Sequence, residues 1–124
     1  PFTHQVIFKG LNGEVVRVNG IFDDGTMVAA MSEKVYQRVK HRLGNWSALT
    51  RQLRMADGTV VPSIAKWEGE VKLDGISARG EFEVFKGGGW SFLFGKPLLQ
   101  QFQAVHDYNT DEIIVKGVGG TALL

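Results

Sequence analysis

The chain contains no cysteine. Disulfide staples, thiolate catalysis and cysteine-based metal sites are therefore excluded, and a reducing, intracellular compartment is expected. No apolar run approaches the roughly 18 residues that span a bilayer, and no secretory leader opens the chain, so no membrane partner is expected. A start at Pro1 reads as a domain cut from something longer. A large charge of one sign is missing too. The formal net charge is +1, which gives the whole molecule no field to gather nucleic acid or a membrane surface. Linkers, repeats and low-complexity tracts are absent apart from Gly87-Gly88-Gly89.

What is present is ordinary globular usage. The 124 residues are 44% hydrophobic and 22% charged, which fits one domain over 1–124 that buries roughly two-thirds of its unfolded surface. Basic charge is gathered in 33–54, where Lys34, Arg38, Lys40, Arg42, Arg51 and Arg54 stand against Glu33. Such a run reads first as a solvated helix face, with a nucleic-acid contact as the lesser alternative.

The local grammar is mostly β. Asn12-Gly13, Asn19-Gly20, Asp24-Gly25, Asp57-Gly58 and Asp74-Gly75 are turn dipeptides that accept positive φ. Between them lie short alternating runs. Leu53-Arg54-Met55 pairs across Asp57-Gly58 with Thr59-Val60-Val61, and Trp67–Leu73 pairs across Asp74-Gly75 with Ile76–Phe85. One main helix is predicted from Glu33 to Leu43, with Ser32 as N-cap, Val35, Val39 and Leu43 on one stripe, and Gly44 as its stop. A second, short helix is predicted near Pro97, carrying Leu98, Leu99 and Phe102. The last strand is expected over Glu112–Lys116, with a tail from Gly117 to Leu124 that is loose or paired with a partner chain.

Two segments point to chemistry. In the first, a strand that buries Val16, Val18, Ile21 and Phe22 ends on Asp23, followed by Asp24, Gly25 and Thr26. Carboxylates at such a place are seldom buried unless paired or functional. In the second, the apolar run Phe92-Leu93-Phe94 reads as a strand buried on both faces, and Gly95 after it admits close backbone approach.

As an ordered set these motifs resemble the retropepsins, the single-lobe aspartic proteases of retroviruses and gypsy-type retrotransposons, and look closest to retroelement-derived copies common in fungal genomes. The likeness covers about residues 14–116. It implies an all-β, single-lobe acid protease fold, a closed barrel with a ψ-loop, one main helix and a short second one. It also implies a homodimer in which each chain supplies Asp23, two carboxylates sharing one proton and activating a water to hydrolyse an extended peptide or polyprotein. Asp24, Gly25 and Thr26 complete the active-site loop, and Leu93, Phe94 and Gly95 support it. The hairpin tip at Ala56, Asp57, Gly58 and Thr59 becomes the substrate-binding flap.

Asp24 departs from that pattern, since the family carries Thr or Ser there, with a hydroxyl that reaches across the dimer axis. Two added carboxylates near the pair cost about 2–4 kcal/mol per like-charge contact at an effective dielectric near 20. A dimer and an activity favoured at acidic pH are therefore expected. The rival reading is a degenerate protease fold kept for dimerisation or peptide binding.

No cofactor or metal is expected. Gly95-Lys96-Pro97 lacks the spacing and hydroxyl of a phosphate loop, and Gly117-Val118-Gly119-Gly120 has no strand–helix unit around it. His4, His41 and His106 stand at no metal-ligand spacing, and His106 with Asp107 reads as a strand-end hydrogen bond. Asp23 and Asp24 diverge too far, as neighbours on a strand, to share a hard cation. Trp46, Trp67 and Trp90 read as packing residues.

Overall fold

A computed structural model describes residues 2–48, 52–54, 57–87 and 89–124. Its strands are β1 (Phe2–Lys9), β2 (Val15–Phe22), β3 (Ala30–Ser32), β4 (Trp46–Ser47), β5 (Gln52–Arg54), β6 (Val60–Leu73), β7 (Ile76–Phe85), β8 (Phe92–Phe94), β9 (Val105–Asp107), β10 (Glu112–Gly117) and β11 (Gly120–Leu123). Helix α1 (Glu33–Val39) follows β3, and α2 (Lys96–Gln101) follows β8. The expected all-β class with a main helix and a short second one is what the chain adopts.

The main sheet runs β1-β2-β8-β3-β7-β6-β4, and a further pairing of β1 with β6 closes the first six of these strands into a barrel. Closure removes the open edges that would invite aggregation. Side chains fill the interior. Phe8, Trp67, Phe82 and Phe92 are all essentially buried, and their ring centroids lie 4.8–5.5 Å apart along Phe8–Phe82, Phe8–Phe92, Trp67–Phe82 and Phe8–Trp67. Trp67 is thus a core residue.

The two predicted hairpins form. β5 pairs with β6 through Leu53↔Val61, and β6 meets β7 through Leu73↔Ile76. Asp74 and Gly58 take the positive φ that their turns require, 53° and 89°. Strand β1 was not anticipated. Its Val6 and Phe8 alternate inward against β2, a pattern too short to read without its partner. In β2 the inward set is Val16, Val18, Gly20 and Phe22, so Ile21 is half-buried on the other face and not in the core as expected.

Helix α1 is one turn shorter than predicted. Ser32 caps it as expected, its Oγ accepting the Val35 N–H at 3.3 Å. Lys40 replaces Gly44 as the C-cap. The Trp46 Nε1–H donates to the carbonyls of Lys40 and Leu43 at 2.8 and 2.6 Å, which satisfies helix-end acceptors and turns the chain early. Leu43 still packs into the core. The segment 117–124 is not loose, because β11 folds back on β10 through Val115↔Ala122. With β9 these strands form a separate three-stranded sheet, ordered β11-β10-β9.

Candidate active site

The connection from β2 to β3 is built around β8. β8 runs parallel to β2 and antiparallel to β3, so two consecutive strands flank a third from later in the chain. The loop joining them must cross the end of β8. Gly95 sits at that crossing. A Cβ placed there would lie 2.0 Å from the Val28 carbonyl oxygen and 2.8 Å from that of Thr26, so only glycine fits this close approach. The Lys96 N–H then donates to Thr26 O at 2.8 Å, tying the loop to the start of α2.

Asp23 lies where β2 leaves the barrel. Its backbone N–H donates to Phe94 O at 3.1 Å, and its side chain is exposed in the isolated chain. The Asp23 Oδ1 accepts the Gly25 N–H at 2.9 Å, and Oδ2 accepts the Thr26 hydroxyl at 2.8 Å. Each carboxylate oxygen retains further acceptor capacity, so the group is oriented by its loop yet open to a water or a second carboxylate. Beneath it, Phe22 and Phe94 stack at 4.2 Å, and Phe94 meets Phe102 at 5.8 Å. That aromatic stack gives the loop a stiff floor.

Asp24 has a different partner. Its Oδ2 accepts a hydrogen bond from the Tyr108 hydroxyl, in the turn between β9 and β10. The Asp24 carboxylate raises the pKa of the Tyr108 hydroxyl above its usual value: the hydrogen bond is the largest cause, then lost hydration, then the charges of Asp24 and Asp23. The Tyr108 ring stacks on His106 at 4.1 Å, and His106 Nε2 pairs with Asp111 at 2.8 Å. His106 therefore does not bond Asp107 as the sequence suggested; Asp107 instead accepts the Asn109 and Thr110 N–H groups of the turn. No sequence signal joins Tyr108 to Asp24, which stand 84 positions apart.

The structure thus brings together Asp23, Asp24, Gly25 and Thr26, backed by Leu93, Phe94 and Gly95. They open on a cavity of about 990 Å³ whose apolar walls include Phe2, Phe22, Leu99 and Ile113. Asp57, Gly58 and Thr59 do not line it. They form the exposed β5–β6 tip, where Asp57 Oδ1 accepts the Thr59 N–H at 2.9 Å; Ala56 and Met55 of that hairpin lie outside the described residues. No cluster of three metal-ligating side chains occurs among the described residues, and no helix among them is long and apolar enough to cross a membrane.

A closed barrel with a strand–Asp loop–strand unit straddling a Gly-terminated strand is the retropepsin-like aspartic protease fold. Among the solved structures that share it are two retropepsin-like ones. The retroviral protease-like domain of Ddi1 from Leishmania major superposes with a TM-score of 0.67 at 15% identity, over 100% of this chain and 95% of that one. A retropepsin-like aspartic protease from Rickettsia conorii gives 0.60 at 18% identity, over 99% of this chain and 88% of its own. At such identities the likeness is one of fold. No protein-family model and no curated protein matches the chain.

Proposed function

We propose that the chain is an aspartic endopeptidase that acts as a homodimer on extended peptides. The observation that carries this reading is the Asp23 carboxylate, set by Gly25 and Thr26 and left open toward the cavity. A dyad needs two such groups, and this loop supplies one, so a two-fold pair of chains completes it. Two carboxylates in contact hold one proton between them. The ionised one then takes a proton from water while the other donates to the scissile carbonyl, which gives a tetrahedral intermediate with no covalent adduct.

In this reading the residues over 1–124 act as one domain. The tip at Asp57, Gly58 and Thr59 closes over substrate as a flap and pairs with it in β fashion. The ordered motifs support a gypsy-type retroelement origin, with the polyprotein that once contained the domain as its substrate. The basic residues Lys34 and Arg38 lie on the solvent side of α1, away from its buried Val35 and Val39, which is the placement of a solvated helix face.

A second reading rests on Asp24. A further carboxylate beside Asp23 marks a site relaxed from catalysis, and the fold would then serve dimerisation or peptide binding. Cleavage of a mixed peptide library between pH 4 and 7.5 at high protein concentration separates the two. Asp23→Asn is expected to reduce cleavage at least ~100-fold, the scale of a lost acid–base group, with an unchanged unfolding midpoint. No cleavage by the folded wild-type chain at any pH would select the binding module.

A further inference from the structure

Asp23 and Asp24 are adjacent carboxylates with different partners. Asp23 is bound by its own loop, whereas Asp24 is bound by Tyr108. Tyr108 is 69% exposed, so burial alone would leave its ring free to turn. Instead the ring is stacked on His106 at 4.1 Å. His106 is held at its Nε2 by Asp111 at 2.8 Å and on its edge by Phe2 at 5.8 Å. Because a carboxylate only accepts, a neutral His106 carries its proton on Nε2. Side chains from β1, β9 and the β9–β10 turn thus converge on the orientation of a single hydroxyl.

From this arrangement we propose that Tyr108 is a positioning residue for the Asp loop, holding the Asp24 carboxylate toward the C-terminal sheet and away from Asp23. This rests on the peptidase reading for its catalytic consequence, but the hold itself does not. The charged or titratable groups that share the cavity with Asp24 are Asp23 on its own loop, Lys96 at the start of α2, and His106, Tyr108 and Asp111 from the C-terminal sheet. Of these, Tyr108 is the hydroxyl donor that engages Asp24 directly. Without it, an ionised Asp24 is free to swing beside Asp23, where like charge opposes ionisation of the pair.

Two measurements test the proposal. The first reads tyrosinate absorbance against pH and needs no activity. The chain has two tyrosines, so subtracting the Tyr108→Phe titration from the wild-type one isolates Tyr108. Asp24→Asn keeps an acceptor oxygen but removes the charge, and is expected to bring the Tyr108 transition down toward that of ordinary tyrosine. His106→Ala, which removes the stacking surface, should move it in the same direction by less. A Tyr108 transition indifferent to Asp24→Asn overturns the proposal.

The second is the pH–rate profile of peptide cleavage. Tyr108→Phe is expected to displace it to higher pH by at least about half a unit, roughly a threefold change in rate on either limb. In an Asp24→Asn background the same substitution should produce no displacement. A Tyr108→Phe profile that overlays wild type overturns the positioning role, and so does a displacement that survives without Asp24. If the wild type cleaves nothing, the peptidase reading fails, and the tyrosinate titration alone decides whether Tyr108 holds the loop.

Discussion

Gly95 and Tyr108 define the candidate site as much as Asp23 does. Gly95→Ala puts a methyl group into the Val28 and Thr26 carbonyls, which belong to the backbone of the Asp loop and not to a flexible side chain. A destabilisation of about 1–3 kcal/mol is expected, read as a lower urea midpoint with an unchanged slope. Of the two supporting residues, Leu93 tolerates change better, being only half-buried, whereas Phe94 is fully buried. At Tyr108 the linkage runs with alkaline pH. Its hydroxyl is raised above the ordinary value of 10.0 when folded, so the stabilisation is complete below that value and lost as pH rises through the higher folded one. Urea unfolding followed from neutral to alkaline pH should show this decline in the wild type and a flatter response in Tyr108→Phe.

At the level of elements, local rules hold well where a segment is self-contained. The Ser32 cap of α1 was legible because a hydroxyl three residues before an amide needs no distant partner, and Ser32→Ala is expected to cost about 1 kcal/mol in chemical denaturation. The end of α1 was not legible, because the carbonyls of Lys40 and Leu43 are taken by the Trp46 indole, which β4 positions against Trp67 of β6. In the long β6–β7 hairpin, Arg79 reaches Glu68 at 2.8 Å. The hydrogen bond and then the charge of Arg79 hold the Glu68 carboxyl below its ordinary 4.5. That contribution is present above the ordinary value and lost as pH falls through the folded one. Both groups are exposed, so added salt should remove most of it, and Arg79→Ala should make the acid limb of stability less sensitive to salt. Trp67→Ala on the same strand removes a fully buried ring of the barrel's aromatic cluster and is expected to cost about 3–5 kcal/mol.

At the scale of the whole molecule, one open face holds the candidate site. Asp23, Asp24 and the apolar walls of Phe2, Phe22, Leu99 and Ile113 share one cavity in the single chain, and a second copy set on that face would pair the two Asp23 groups. Sedimentation is expected to show tighter association at pH 5 than at pH 8, because protonation relieves the carboxylates that meet there; equal association at both would remove Asp24 as an obstacle to pairing. Asn19-Gly20, read as a turn, lies inside β2 and pairs with β1. By itself the sequence determined the two hairpins and their turns, the start of both helices and the pair of motifs that frame the Asp loop. Each depends on residues a few positions apart, where alternation, caps and turn chemistry act. Only the tertiary structure decided that β1 closes the barrel on β6, that β8 lies between β2 and β3, and that Tyr108 meets Asp24. Those contacts join residues far apart in the chain, and their energies come from burial and pairing that no local pattern records.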